Sequence, residues 1–389
     1  MEKIDRVMNE VIGYDEALVT KEKLEQTGHD FSAQKGNVKN VVEKLHPKRQ
    51  QIVLNEIRYE TPSTSTFVFS KKGGGNLPPF QAGQYINLFV NIQGVSTARP
   101  YSISSSPFIR DKYELTIKRA EGGFVSPYLL DQVKLGQIFE SSGPMGSFHH
   151  NPLFHGDDLV FLAGGSGIAP AMSMLKALRA VKKDFRFHVI YSNSYENDVI
   201  FINELRNIAA SDSRFVLTEF LSRDAGPDYK GNRGRLTREK LVNLINDPLT
   251  KMYYICGPTP FNDNAIELLV SLGVRSGRIL VDGNGPPKNP ETLDGWPSSV
   301  KKGTKVVVQV GKEIQFLTEV GEPLLNSLER NGFTTENACR SGECSLCRIR
   351  LVSGKVFSPA EAKIRKSDKR FGYIHSCVAF PTENIEIEL

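Results

Sequence analysis

Four of the five cysteines in this 389-residue chain form one pattern near its C-terminus. Cys339, Cys344 and Cys347 lie close together, and Cys377 follows thirty positions after the third. One tight loop that supplies three thiolates, with a fourth from a distant turn, suits two irons held by four sulfurs. Structural zinc sites are usually built from C-x2-C pairs, and the chain has only one such pair. The spacing therefore predicts a [2Fe–2S] cluster rather than a zinc site or four unrelated buried thiols.

The residues around these cysteines predict a domain of their own, over 304–389. The order is two strands, a helix, the cysteine loop, a strand, a short helix and closing strands over 372–380 and 384–389. This order is similar to the β-grasp fold of plant-type ferredoxins. The resemblance implies cluster ligation by Cys339, Cys344, Cys347 and Cys377. A basic stretch at Lys363–Arg370 is interpreted either as a solvated face or as a docking patch for an acidic electron acceptor.

Length and composition predict a soluble protein of several domains. The chain is 39% apolar and 24% charged, and its net charge of +5 is too balanced to favour nucleic acid or an anionic membrane as partner. No apolar run approaches the length of a membrane-spanning helix, and the amino terminus lacks the apolar core of a signal peptide. Cysteines that serve iron rather than disulfides fit a reducing compartment. We therefore expect a cytoplasmic protein without membrane insertion.

The first half of the chain predicts a short helical arm followed by an antiparallel β-barrel. Residues 1–49 carry helical patterns at Ile4–Leu18 and Val38–Leu45, and we interpret them as an N-terminal extension. From Gln51 the pattern changes to short strands separated by Gly, Pro and Asn turns, which is typical of a small barrel over 50–153.

Two segments of the predicted barrel have the chemistry of a flavin site. Arg99 offers a fixed charge to phosphates, Tyr101 a ring for stacking, and Ser102 a hydroxyl for the edge of a flat ring. The turn before the predicted helix at Val125 offers backbone N–H groups to a phosphate. Together the segments resemble the flavin-binding barrel of the ferredoxin–NADP reductase superfamily, and they look more like its FAD-binding than its FMN-binding members. The residues assigned to the flavin are Arg99, Pro100, Tyr101, Ser102, Lys118, Gly123, Phe124, Val125 and Ser126.

From Asp157 strands alternate with helices, which predicts an α/β domain with a parallel sheet over 154–286. Ligands of such sheets bind at the carboxyl ends of the strands, where two turns of this domain lie. These turns are similar to the nicotinamide-binding motifs of the same superfamily, and they contain Gly164, Gly165, Ser166, Gly167, Cys256, Gly257 and Pro258. By that resemblance Cys256 lies beside the nicotinamide ring, and Cys256 and Ser102 are the candidate catalytic residues. A Pro- and Ser-rich linker, 287–303, follows.

Taken in order, residues 50–389 resemble single-chain reductases of the phthalate dioxygenase reductase type and their FAD-binding relatives. The resemblance implies an NAD(P)H-dependent oxidoreductase that passes electrons through flavin and cluster to a one-electron-accepting redox protein. The alternative is an electron-transfer subunit of a larger redox complex, working toward NAD reduction. Residues 191–196 contain no Lys or Arg for a 2′-phosphate, which favours NADH, whereas Ser222 and Arg223 are the pair that NADPH-using relatives place at this point.

Overall fold

The N-terminal unit is helical. A computed structural model describes residues 14–26, 37–181, 184–224, 226–283, 285–312, 314–333, 335–360 and 362–389. Residues 1–47 form one unit and residues 48–389 another. The first unit contains helix α1, Tyr14–Gln26, and helix α2, Asn37–Leu45. The helix predicted at Ile4–Leu18 lies partly outside the described residues, and its described part continues to Gln26.

The second unit begins with a six-stranded antiparallel sheet in the order β4-β3-β6-β1-β2-β5. An additional antiparallel bridge joins Ile103, just after β4, to Leu115 in β5, so the two edge strands of the sheet meet. Alternate strand residues such as Ile52, Leu54 and Ile86 are fully buried inside this curved sheet. The elements are β1 Gln50–Thr61, β2 Thr64–Lys71, β3 Tyr85–Ile92, β4 Val95–Ser102, β5 Lys112–Lys118, α3 Val125–Asp131, β6 Ile138–Ser141 and α4 Pro152–His155.

A parallel sheet follows, with the strand order β10-β9-β8-β7-β11-β12. Its central strand β7 is buried on both faces, because Leu159 and Phe161 enter one hydrophobic cluster while Val160 and Leu162 enter another. The elements are β7 Asp158–Gly164, α5 Ile168–Ala180, β8 Arg186–Tyr195, α6 Ile202–Ser211, β9 Phe215–Asp224, β10 Asn232–Arg233, α7 Arg238–Leu244, β11 Met252–Cys256, α8 Thr259–Ser271 and β12 Ile279–Asp282. Strand β12 was not predicted from the sequence.

The C-terminal part contains a five-stranded mixed sheet, β14-β13-β19-β15-β17, and a two-stranded ribbon, β16-β18. The single strand predicted over 372–380 is wrong in its middle, since Ser376–Ala379 form a turn that carries Cys377 between β17 and β18. The elements are β13 Lys305–Val310, β14 Ile314–Glu319, α9 Leu324–Arg330, β15 Arg348–Ser353, β16 Val356–Phe357, α10 Lys366–Arg370, β17 Tyr373–His375, β18 Phe380–Pro381 and β19 Ile385–Glu388. Across the described ranges, no helix combines the length and apolar character needed to cross a membrane.

Candidate functional site

A cleft of about 1280 Å³ lies where the three sheets come together. All nine residues assigned to the flavin line it, and so do Cys339, Cys344 and Cys377 from the cysteine loop and its distant partner turn. The parallel sheet contributes the whole of β12, Ile279–Asp282, and the following Gly283. The predicted nicotinamide turns are not among the residues that line the cleft. They lie next to it, since a side chain placed on Gly165 would meet Lys118 Nζ at 4.0 Å.

Arg99 is fixed by its own strand. Its Nη1 donates to the Thr97 hydroxyl at 2.7 Å and to the Ala98 carbonyl at 2.7 Å. Burial, followed by the nearby charge of Arg340, lowers its pKa to about 10, which still leaves the guanidinium charged at neutral pH. Burial also raises the pKa of Tyr101, so its phenol stays neutral. The β4 end of the cleft therefore combines a permanent cation with a neutral aromatic ring.

The turn before α3 is tight because Gly123 has no side chain. A Cβ on Gly123 would come within 2.9 Å of both the Cβ and the carbonyl oxygen of Ala120. Ser126 Oγ accepts a hydrogen bond from the Ala120 N–H at 2.8 Å and therefore closes this turn. The hydroxyl hydrogen of Ser126 stays available to a ligand in the cleft.

Lys118 joins the antiparallel sheet to the parallel one. Its Nζ lies 2.7 Å from Asp198 Oδ2, and Asp198 Oδ1 accepts from Thr61 at 2.5 Å and from Ser63 at 2.7 Å. Burial opposes the charge of Asp198, but these hydrogen bonds and the Lys118 charge hold its pKa below the ordinary value. Sequence reasoning missed Asp198, since its partners lie more than 70 residues upstream.

The two predicted nicotinamide turns are packed backbone against backbone. They follow the neighbouring parallel strands β7 and β11, in which Ala163 is paired with Cys256. A Cβ on Gly167 would overlap the carbonyl group of Cys256, and one on Gly257 would lie 3.1 Å from Gly164 Cα. Glycine is needed at both positions for this close approach.

Cys256 is paired with an acidic residue of β12. Its Sγ donates to Asp282 Oδ2 at 3.7 Å, and burial raises the pKa of the thiol well above its usual value. Burial also raises the pKa of Asp282 to about 7, with the Cys256 hydrogen bond acting in the opposite direction. Asp282 lines the cleft, so the pair Cys256–Asp282 connects the nicotinamide turn to the cleft.

The four cysteines of the pattern are arranged as two pairs. Cys339 Sγ accepts a hydrogen bond from the Cys344 N–H, and Cys347 Sγ lies 3.2 Å from Cys377 Sγ. Cys339 Sγ accepts from the N–H groups of Ser341, Glu343 and Cys344 at 3.4 Å each, which is the environment that stabilises a thiolate. In the part of the chain that the structure describes, no three His, Cys, Asp or Glu side chains form a site for a single metal ion. Two separate thiol pairs suit two irons.

A buried polar network joins the cysteine loop to β4. Thr97 donates to Glu329 Oε2 at 2.9 Å, and Glu329 forms an ion pair with Arg340, the residue after Cys339. Arg340 also donates to Thr97 at 3.3 Å and to Asn326 at 3.1 Å. Sequence reasoning missed this network because Thr97 lies more than 200 residues before Glu329 and Arg340.

Trp296 in the linker and Lys363 in the basic stretch make side-chain contacts of their own. The ring of Trp296 packs edge-on against Phe357 at 5.1 Å, and its indole N–H donates to the Val300 carbonyl at 3.2 Å. Lys363, in the predicted basic patch, pairs with Glu343 at 2.7 Å. Trp296 therefore serves the C-terminal sheet rather than the cleft, and one cation of the patch is partly neutralised.

Comparison with known proteins assigns each sheet to a domain family. Residues 51–150 match the oxidoreductase FAD-binding domain, 161–266 the oxidoreductase NAD-binding domain, and 308–382 the 2Fe-2S iron-sulfur cluster binding domain. The chain is 30% identical to NADH oxidoreductase HCR of Escherichia coli (strain K12), over 86% of this chain and 95% of that protein. The chain belongs to the same reductase family as NADH oxidoreductase HCR.

Two further proteins show the same architecture. The reductase is 29% identical to the glycine betaine monooxygenase reductase subunit of Pseudomonas aeruginosa (strain UCBPP-PA14), over 79% of this chain and 87% of that protein. Phthalate dioxygenase reductase has the same fold, with a TM-score of 0.64 and 21% identity over 88% of this chain and 98% of the other. The predicted membership of the ferredoxin–NADP reductase superfamily, with a C-terminal [2Fe–2S] ferredoxin domain, is confirmed.

These matches establish the cofactors and the reaction class. The reductase is an NAD(P)H-dependent oxidoreductase with FAD and a [2Fe–2S] cluster, and it passes electrons from NAD(P)H through both to a redox protein that accepts one electron at a time. FAD was therefore the correct choice over FMN. The preference for NADH over NADPH stays a prediction.

Proposed function

We propose that this reductase supplies single electrons from NADH to the terminal component of an oxygenase. The observation that carries the proposal is the cleft, which is lined both by the residues assigned to the flavin and by three of the four cysteines. One relative is named as the reductase subunit of a monooxygenase, and another as an NADH oxidoreductase. These names favour a reductase that feeds an oxygenase over a subunit that works toward NAD reduction.

We assign the finer architecture as follows. The first domain, 50–153, is a β-barrel, which is supported by the bridge between Ile103 and Leu115. The nicotinamide domain covers 154–286, the linker 287–303, and a β-grasp ferredoxin domain 304–389, which is supported by α9 and the mixed sheet around the parallel pair β13–β19. Residues 1–49 are a helical extension. We place the protein in the cytoplasm, as expected for cysteines that bind iron.

In the proposed flavin site, Arg99, the turn at Gly123 and Ser126 hold the phosphates, with Pro100, Phe124, Val125 and Lys118 completing the walls. Tyr101 stacks on the flavin ring, and Ser102, at the end of β4, donates a hydrogen bond to its edge. FAD held by these residues would supply hydride acceptance and the release of single electrons. Because Arg99 keeps its charge and Tyr101 stays neutral, this binding chemistry is constant around neutral pH.

In the proposed nicotinamide site, Gly164, Gly165, Ser166 and Gly167 receive the pyrophosphate at the start of α5. Cys256, followed by Gly257 and Pro258, positions the nicotinamide ring. The raised pKa of the Cys256 thiol keeps it neutral, so it acts through packing and a weak hydrogen bond rather than as a nucleophile. Ser102 and Cys256 are therefore the two residues that we assign to hydride transfer.

We assign the cluster to Cys339, Cys344, Cys347 and Cys377, one thiol pair for each iron. The test uses the visible spectrum and matched cysteine variants. Cys344→Ser is expected to lose the [2Fe–2S] bands while it keeps its FAD and its flavin reduction by NADH. Cys256→Ser, the control, is expected to keep the cluster bands and to reduce its flavin more slowly. A complete [2Fe–2S] spectrum in Cys344→Ser would contradict the ligand assignment.

The choice of NADH is supported by the C-terminal end of β8, where Ser192, Asn193 and Ser194 supply no cation for a 2′-phosphate. The exposed Arg223 from the next strand donates to the Tyr195 hydroxyl at 3.2 Å. Steady-state rates with the two nucleotides test the choice: we expect a higher kcat/KM for NADH, and a higher value for NADPH that is lost in Arg223→Ala would refute it.

A further inference from the structure

The hydroxyl of Thr97 lies at a junction between two domains. On one side it accepts a hydrogen bond from Arg99 Nη1 at 2.7 Å, within the flavin domain. On the other side it donates to Glu329 Oε2 at 2.9 Å and accepts from Arg340 Nη2 at 3.3 Å, both in the ferredoxin domain. One hydroxyl group therefore uses its single donor and both acceptor positions.

We propose that Thr97 is a positioning residue through which the ferredoxin domain holds Arg99 in place for the flavin phosphates. This inference rests on the proposed role of Arg99 in flavin binding. Arg99 lines the cleft, whereas Thr97 does not. Thr97 therefore acts on a bound flavin through Arg99 and not by direct contact.

The junction is largely buried, so bulk water replaces its hydrogen bonds poorly. Thr97, Glu329 and Arg340 are each at most 6% exposed. The guanidinium groups of Arg99 and Arg340 both donate to the Thr97 hydroxyl, and Arg340 also forms the ion pair with the Glu329 carboxylate. Buried charges of this kind are strongly destabilised when one partner is removed. The hydroxyl of Thr97 consequently fixes both arginines relative to Glu329.

The backbone conformation of Arg340 supports a functional role for the contacts between Arg340, Glu329 and Thr97. Arg340 has a φ of +55°, a conformation that is uncommon for residues other than glycine. It follows Cys339 directly, and its side chain leaves the cysteine loop toward Glu329 in α9 and Thr97 in β4. Local strain of this type persists where the surrounding contacts over-determine it. The same contacts hold the cluster loop next to the arginine of the flavin site.

A consequence of this coupling is that the ferredoxin domain contributes to the affinity for FAD. A hydrogen bond to a charged group changes an equilibrium by about tenfold or more. If the Thr97–Glu329 hydrogen bond holds Arg99 in its binding position, loss of this bond weakens the binding of flavins that carry phosphates. Riboflavin, which has no phosphate, is not affected.

The test compares Thr97→Val with Thr97→Ser in the full chain with its cluster intact and its flavin removed. Valine has nearly the shape of threonine without the hydroxyl, whereas serine keeps the hydroxyl. Dissociation constants for FAD and riboflavin are measured by flavin fluorescence. We expect Thr97→Val to raise the Kd for FAD by about tenfold and to leave the Kd for riboflavin unchanged. Thr97→Ser is expected to match the wild type with both ligands.

Glu329→Gln tests the contribution of the ferredoxin domain by itself. We expect a higher Kd for FAD, an unchanged Kd for riboflavin and unchanged cluster bands, although Glu329 lies outside the flavin domain. Equal FAD affinity in Thr97→Val and Thr97→Ser, or an equal loss of riboflavin binding in Thr97→Val, overturns the proposal.

Arg99→Ala separates the proposed flavin site from the proposed coupling through Thr97. If it leaves FAD binding unchanged, the proposed flavin site fails. If it weakens FAD binding while Thr97→Val does not, only the coupling through Thr97 fails.

Discussion

The close approach of the two nicotinamide turns makes a strong prediction for Gly167→Ala. The φ of Gly167 is −61°, so alanine is acceptable to the backbone itself. The obstacle is the neighbouring turn, because the new Cβ would lie closer than 3.0 Å to the carbonyl group of Cys256, a separation that Cβ atoms essentially never show. The obstructing atoms belong to the backbone, so a change of side-chain rotamer cannot relieve the overlap.

The expected cost follows from this geometry. Overpacking usually costs about 1–3 kcal/mol, and a collision with backbone belongs at the upper end of that range. A loss of about 3 kcal/mol lowers the Tm of a domain of this size by about 6–12 °C. Separation of the turns also displaces Cys256, and a displacement of about 1 Å at a reacting centre can slow a reaction by about a hundredfold.

Calorimetry and stopped-flow measurement of flavin reduction by NADH test both effects. Gly277→Ala is the matched control in the same domain, because Gly277 has nothing within 4 Å of an added Cβ and no positive φ. We expect the control to keep the Tm and the flavin reduction rate of the wild type. If Gly167→Ala also keeps both values, the two turns are not in the contact described here and the reasoning is wrong.

Three further predictions concern stability and electron exit. Glu329→Ala leaves Arg340 buried without its partner and should lower the free energy of unfolding by about 3–5 kcal/mol, as measured by urea denaturation. Burial raises the pKa of Asp282 from 3.8 to about 7, so the folded state binds its proton more tightly and the free energy of unfolding should fall as the pH rises between these values. Asp282→Asn should reduce that fall, and an identical pH dependence in urea denaturation would contradict it. Replacing exposed Arg365 and Lys366 by Glu should slow electron transfer to anionic ferricyanide relative to cationic hexaammineruthenium(III) at low salt, and an unchanged rate ratio would show that this face has no role in attracting anions.

Local patterns in the sequence predicted the three sheets and the sets of residues that meet in the cleft. The glycine turns, the residues at the end of β4 and the cysteine spacing are each contained in a short segment, so their chemistry is visible without a fold. Contacts between domains were not predictable in this way. Asp198 and Glu329 are ordinary acidic residues in the sequence, and their partners are fixed only by how the sheets pack.

The fourth cysteine shows a different limit. Apolar residues run through 372–380, which favours a continuous strand, but Cys377 lies in a turn opposite Cys347. The Ser376 N–H and hydroxyl both donate to the Cys347 carbonyl, and these bonds fix the turn. The contacts of Ser376 and Cys377 with Cys347 therefore outweigh the local strand propensity at this point.

The anchoring of Trp296 limits the length of free chain that connects the parallel sheet to the ferredoxin domain. The tryptophan packs against Phe357, which attaches the second part of the linker to the ferredoxin domain, and Lys302 pairs with Glu291 at 2.8 Å within the linker. Lys302 also donates to the Lys288 carbonyl at 3.4 Å, so the connection from the end of β12 at Asp282 to Lys288 has a maximum reach of about 20 Å. An electron acceptor must therefore approach the reductase itself, because the ferredoxin domain stays within this distance of the parallel sheet.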